Sequence, residues 1–488
     1  MKKIKIFLLA ASMSLFSCDA WLDLEPEFVQ DAENFFLTPE DYERAVIGVY
    51  DLMQANYLHV WIGEIASDNS IAGGESVFDT QGLHEIDGMR HGGINAELRD
   101  VMRFNYAGIA RANFVFENEN NIDFPAKERL MAEISFIRAY YYFILVKYFG
   151  DMPLIIDRRA SINEVREIDR TPKEEIYAQI ERDLDRAINV LSWTTQETGR
   201  ITKGAAMALK GKVLLYQNKF AQAAQVFDEL ITTNQAGYGL VSDMSTMWLV
   251  VNQNGPEDVF TIQHSGLQGG DYGCLVCLQG NPAPGFHAIR NFVGPFYGDG
   301  NSYNLPTQNL YDFFGNDPRR EITILDLDAW IAQQPNPGQI SYAIGAGGHT
   351  GFFNNKYIKR DFERGLPDDD LTSPLNYRAI RFADVLLMAA EAFAQTGNDA
   401  RARIELNKVR QRAGVPDITS SGAQLLEDIY RERRLELSGE GYRFWDLVRT
   451  GKAAEAIQGF QVGKHELFPI PQFEIDLAGG RWRQNPGY

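Results

Sequence analysis

Apolar residues recur at intervals of three and four along much of this chain, the spacing that places them on one face of an α-helix. The clearest run spans 127–149, where Ile134, Ile137, Tyr141, Ile144, Leu145 and Tyr148 form one stripe. Gly150-Asp151-Met152-Pro153 ends it. Thr38-Pro39-Glu40-Asp41 opens an earlier helix running to about Gln54, with a capping hydroxyl, Pro at the first helical position and acids facing the positive end of the helix dipole. A second helix is expected over 99–117. Thr171-Pro172-Lys173-Glu174-Glu175 carries the same start signal, followed by the stripe Ile176, Ile180, Leu184, Ile188 and Leu191. Such a stripe requires a packing partner.

The next periodic segments, 203–217 and 220–232, supply one. Ala205, Ala208, Leu209, Gly211 and Tyr216 followed by Phe220, Ala223, Ala224 and Phe227 approach the pattern of a tetratricopeptide (TPR) helix pair, in which small residues allow close packing. Segments 381–395 and 399–412 repeat the scheme, and 425–440 adds an amphipathic helix rich in Glu and Arg at short spacing. Between the blocks, over 235–377, the periodicity fails and Gly, Pro, Asn and aromatics dominate. That stretch is too long for a simple connection. It reads as a loop-rich lobe with short strands or helices, for instance at 259–263 and 355–359, and as the ligand-facing part. The fold class is therefore mostly α, a TPR-like helical-repeat scaffold with an irregular second lobe. The expected parts are a leader at 1–17, a tether at 18–37, helical scaffold at 38–234, the loop-rich lobe at 235–377, and helical scaffold again at 378–488.

The start of the chain changes this picture. Lys2, Lys3 and Lys5 precede an apolar run from Ile6 to Leu15 that is too short to span a bilayer. Leu15-Phe16-Ser17-Cys18 then reads as a lipoprotein signal, with Cys18 as the acylated mature N-terminus. Acyl chains contribute about 0.8 kcal/mol per buried methylene, enough in combination to hold a protein on a membrane. The chain has 47 basic and 66 acidic residues. Removing a leader with three lysines and no acid moves the formal charge from −19 to −22, which disfavours nucleic acid as a partner.

Enzyme signatures are absent: there is no HExxH, no Gly-x-Ser-x-Gly elbow and no P-loop lysine, and Gly345-Ala346-Gly347-Gly348 lacks dinucleotide-binding spacing. No catalytic residue, cofactor or metal is expected. Cys274 and Cys277 with His264 and His287 fall short of a zinc set, and a local disulfide or two packed thiols is the simpler account. Asp368, Asp369 and Asp370 lack an EF-hand frame and read as a solvated acidic loop. Aromatics in glycine-rich loops are more informative. The C–H face of a sugar ring stacks on an aromatic face, while its hydroxyls seek Asn, Asp, Arg and His. Two stretches offer both, 61–99 and 269–303. The ligand-binding candidates are Phe78, His84, Tyr272, Phe286, His287, Arg290 and Phe292, whereas Trp61 sits with Ile62 and Ile65 in an apolar cluster and is assigned to the core.

Four segments carry a family resemblance. They are Cys18 to Pro26, the helix Phe136 to Phe143 with Tyr148 to Leu154, the run Glu432 to Leu447, and the ending Leu467 to Gln472 with Gln484 to Tyr488. Together they resemble the SusD/RagB outer-membrane lipoproteins of the Bacteroidetes type. The resemblance implies a TPR-like scaffold lipid-anchored at the outer membrane and facing the cell exterior. It also implies a non-enzymatic role, capturing oligosaccharide and delivering it to a SusC-like TonB-dependent transporter. RagB-like members imply peptide or glycoprotein fragments as an alternative cargo, and a TPR scaffold without a small ligand is a third possibility. Glu432, Arg433, Arg434, Glu436, Arg443, Asp446 and Arg449 alternate in sign around Leu435, Phe444, Trp445 and Leu447, a pattern that suits charges pairing while aromatics pack.

Overall fold

A computed structural model describes residues 35–268, 270, 272, 279–363 and 370–488 of the chain. The leader, Cys18, most of the tether, Cys274, Cys277, Asp368 and Asp369 lie outside the described residues.

Helix α1 (Pro39–Asp51) begins as its sequence directs. The Thr38 hydroxyl accepts from the Asp41 amide while the Asp41 carboxylate accepts from the Thr38 amide, and Pro39 opens the first turn. After a 3₁₀ turn come α2 (Tyr57–Ile65), α3 (Gln81–Asp87), α4 (Ala96–Glu117) and α5 (Lys127–Phe149). Periodicity in α5 suggests one buried face, but every residue from Leu130 to Phe149 is buried. Two of its buried charged residues are paired inside: Arg138 grips Asp183 at 2.8 Å, and Glu133 accepts from Tyr50 at 2.8 Å and pairs with Arg200 at 3.1 Å, while burial lowers the amine of Lys147, 3.0 Å from the His59 ring.

The start signal at Thr171 and Pro172 works differently from the expectation. Thr171 exchanges backbone hydrogen bonds with Met152, and its hydroxyl accepts from the Leu154 amide at 3.3 Å. It makes no capping bond to the helix, and α6 (Lys173–Val190) starts at Pro172 as N-cap without a side-chain bond. Helices α7 (Lys203–Tyr216) and α8 (Phe220–Thr233) form the expected pair. A Cβ on Gly211 would lie 2.4 Å from the Phe227 ring, so glycine is what permits their close approach. Later come α9 (Ala283–His287), α10 (Phe382–Gln395), α11 (Asp399–Arg412), α12 (Gly422–Leu437) and α13 (Arg443–Arg449). Successive helices pack in the order α4 on α5, α5 on α6, α6 on α7, α7 on α8, α8 on α10 and α10 on α11, the stacking of a helical-repeat scaffold.

The irregular lobe is built from short pairs. Strand β1 (Ser70–Ala72) lies antiparallel to β3 (Asn304–Pro306), β2 (Asp258–Ile262) to β6 (Tyr377–Arg381), and β4 (Ile324–Asp326) to β5 (Phe352–Asn354). The short strand or helix expected at 355–359 is replaced by a strand just before it, at Phe352–Asn354. Phe260 of β2 meets Phe136 and Tyr140 of α5 edge-on at 4.8 and 5.1 Å, which fastens the lobe to the scaffold core. A second small core gathers Ile289, Phe292, Tyr297, Leu305, Leu325, Phe353 and Ile358.

Most of the charge-alternating segment pairs across elements, while Asp446 and Arg449 pair at 2.8 Å within one helix. Glu436 on α12 meets Arg381 at 2.7 Å and Arg319 at 2.9 Å, and pairs with Arg412 as well. Glu440 takes Arg381 at 2.8 Å and Lys356 at 2.6 Å, while Arg433 joins Asp384 at 2.8 Å and Asp446 at 3.0 Å. Burial opposes ionisation of Glu436, yet its guanidinium neighbours hold the carboxyl well below the ordinary range. These charges clamp helix α12 to the lobe, a structural role.

Candidate functional site

The two aromatic, glycine-rich stretches meet in space. Pairing of β1 with β3 sets their register, and the Gly73 and Gly74 amides continue it by donating to the carbonyls of Tyr303 and Ser302 at 3.1 and 2.9 Å. Gly74 has φ +96°, a left-handed conformation that turns the chain outward into the loop carrying Glu75, Phe78 and Asp79. The Arg290 guanidinium reaches back across to Glu75 at 2.8 Å and to Asp79 at 3.9 Å, and the Tyr303 hydroxyl donates to Asp79 at 3.4 Å. A third loop closes the rim: the amides of Ala346 and Gly347 donate to the carbonyls of Glu75 and Gly74, and the Ala343 amide donates to that of Arg290. The Gly345–Gly348 segment is thus a close-packed wall. A Cβ at Gly345 would lie 2.0 Å from the Gly74 oxygen.

On this frame the expected residues separate into rim and floor. Phe78 is 81% exposed and Tyr272 55% exposed. The Tyr272 ring lies 6.4 Å from Phe286, which in turn packs on Trp61 at 4.6 Å and Tyr303 at 5.5 Å. Burial pushes the Tyr303 phenol up, and the Asp79 carboxylate beside it adds to the effect, so its hydroxyl stays protonated as a donor. His84 is half-buried with Nε2 2.9 Å from the Gly73 carbonyl. Only an N–H can face a carbonyl, so Nε2 carries the proton and ties α3 to the loop.

Three residues expected to meet a ligand are instead interior. Phe286 is 1% exposed and His287 is fully buried, because the short helix α9 drives both inward against α2 and β3. The His287 Nδ1 donates to the Tyr357 carbonyl at 3.0 Å, and its Nε2 faces the Asn304 amide at 3.4 Å. Burial lowers this imidazole to about 4, so it is a neutral structural link. Phe292 belongs to the second core with Tyr297 and Trp330. These positions cannot present a ring face to a sugar, which corrects the expectation for them. Trp61 is core, as its neighbours suggest. Glu75 and Tyr303 join Arg290 and Asp79 as the rim's polar members, and only their placement inside the two stretches signals them. Among the described residues no group of three or more His, Cys, Asp or Glu could hold a metal ion, and no helix is long and apolar enough to cross a membrane.

Comparison with known proteins places this architecture. The family model described as the SusD family matches residues 311–488, and one described as starch-binding associating with outer membrane matches residues 20–215. A solved laminarin binding SusD-like protein is 34% identical, with 92% of this chain and 99% of that one covered and a TM-score of 0.85. Surface glycan-binding protein A from Bacteroides thetaiotaomicron, solved in complex with laminarihexaose, is 26% identical over 92% of this chain and 99% of its own, with a TM-score of 0.82. The SusD-like protein P38 of Formosa agariphila is 27% identical over 94% of both chains. With helical scaffold, irregular lobe and sequence in agreement along nearly the whole length, this chain belongs to the SusD family.

Proposed function

We propose that this protein is an outer-membrane, lipid-anchored receptor that captures oligosaccharide at the cell surface and passes it to a SusC-like TonB-dependent transporter without cleaving it. The observation that carries the reading is the rim itself: exposed Phe78 and Tyr272 beside a polar set of Arg290, Glu75, Asp79 and Tyr303. Aromatic faces for C–H surfaces next to fixed donors and acceptors for hydroxyls are what a sugar chain requires. Two relatives named for laminarin and laminarihexaose support glycan as the cargo and give the first ligand to try. The family description of outer-membrane association supports the location, and family membership supports the transporter.

Calorimetric titration with laminarihexaose, and with maltohexaose and cellohexaose as alternatives, is expected to give saturable binding to at least one. The hexaose recovered afterwards should retain its length. Absence of binding to every glycan offered, together with binding to peptides, would replace glycan by peptide cargo. A second experiment addresses the anchor. Cys18→Ala is expected to move the protein from the membrane fraction to the soluble fraction with an unchanged melting temperature, because the substitution removes only the point of acylation. Retention in the membrane by the variant would remove the lipid anchor from the proposal.

A further inference from the structure

A second cleft lies away from the rim, where β2, the N-terminus of α7 and the 193–202 loop meet. Its volume is about 260 Å³, and it shares no lining residue with the rim. That is just under the roughly 300–1,000 Å³ of sites for drug-sized ligands, a space suited to one or two sugar rings. Trp193 and Tyr238 supply aromatic walls, and five threonines with Asn254 and Gln263 set hydroxyls and carboxamides among apolar residues.

Charge does not decide what this cleft accepts. Its two ionic groups are already neutralised: Arg200 pairs with Glu43 at 2.7 Å, Glu197 at 2.7 Å and Glu133 at 3.1 Å, and Asp258 pairs with Arg378 at 2.5 Å. An ion entering the cleft would find no unpaired countercharge there.

The neutral groups, by contrast, hold an unspent donor. The Thr202 oxygen already accepts from the Ala205 amide at 3.1 Å and shares one hydrogen bond with the Tyr238 hydroxyl at 2.9 Å. Two hydroxyls share a single bond, so one O–H remains for a third partner. The amides opposite are held in place, since Gln263 Nε2 donates to Asn254 at 2.9 Å and its Oε1 accepts from Asn376 at 2.8 Å.

From this combination of paired charges, a spare hydroxyl donor, fixed amides and two aromatic walls, we infer that the cleft is a second binding site for a neutral polyhydroxylated ligand, a mono- or disaccharide unit. It stands on its own lining and does not depend on the rim binding glycan. The experiment removes the rim first. In a Phe78→Ala, Tyr272→Ala double variant, laminaribiose, maltose and cellobiose are titrated and followed by saturation-transfer NMR. At least one is expected to bind saturably. Adding Trp193→Ala should weaken that binding about tenfold, the order of one lost stacking platform. Trp193→Phe in its place, which keeps an aromatic face, should retain most of the binding without lowering the melting temperature. No saturable binding by any of the three sugars in the rim-deficient variant overturns the inference, as does binding that is indifferent to Trp193→Ala. Failure of the rim reading would appear elsewhere, as unchanged hexaose affinity in the double variant.

Discussion

Replacing Arg381 by Met is expected to destabilise the protein by about 3–5 kcal/mol, the cost of leaving a buried charge network with one partner missing. Arg381 is fully buried and its guanidinium serves three carboxylates, Glu257 at 2.6 Å, Glu436 at 2.7 Å and Glu440 at 2.8 Å. The surrounding cluster is balanced, with Arg319, Lys356, Arg381, Arg410 and Arg412 facing Asp317, Glu257, Glu432, Glu436 and Glu440. Removing one cation leaves an unmatched negative charge where water cannot reach it. Since domains are stable by only about 5–15 kcal/mol, the loss is a large share of the total. Urea unfolding followed by far-ultraviolet circular dichroism measures it, and a change below about 1 kcal/mol would mean that the remaining cations compensate. The sign with pH follows from the same geometry. The Glu436 carboxyl is depressed in the folded state, so its contribution is present above the ordinary carboxylate range and is lost as pH falls through and below it. The wild type should therefore lose stability toward acid, and Arg381→Met should show less of that dependence.

How far the sequence foretells this architecture depends on how local the determining forces are. The spans read from periodicity at 127–149 and 399–412 coincide with helices Lys127–Phe149 and Asp399–Arg412, because a helix is decided by neighbours three and four residues away. Thr171 misleads because its hydroxyl is spent on Leu154, through a bridge to Met152 that no helix-start rule contains. The ion pairs of α12 were beyond reach for a related reason. Alternating signs imply pairing, but the partners Arg319, Lys356 and Arg381 arrive from other parts of the chain. At the site, the two stretches could be picked out by composition, yet nothing local separates Phe78 from Phe286. What separates them is that α9 turns Phe286 onto Trp61, while the turn at Gly74 sends Phe78 into solvent. Contacts such as Arg290 to Glu75 span more than two hundred residues and belong to the tertiary fold alone.

The same division between rim and floor yields the other large effect, a split between binding and stability at neighbouring rings. Tyr272→Ala and Phe78→Ala are each expected to weaken glycan binding by about 1–3 kcal/mol, by analogy with loss of one aromatic stacking platform, while leaving the melting temperature nearly unchanged. Both side chains are more than half exposed, so truncation opens no cavity. Phe286→Ala should behave in the opposite way. Its ring contacts Trp61, Tyr57 and Tyr303, and truncating such a buried phenylalanine costs about 3–5 kcal/mol of folding free energy. Binding will then fall only indirectly, as the support beneath Tyr272 gives way. Phe286→Leu offers the control, since it refills most of the volume and should recover stability and affinity together. Calorimetric titration and thermal melting on the same preparations separate the outcomes. Should Tyr272→Ala and Phe78→Ala bind the hexaose with full affinity, or should their melting temperatures collapse along with binding, the rim would not be the glycan platform.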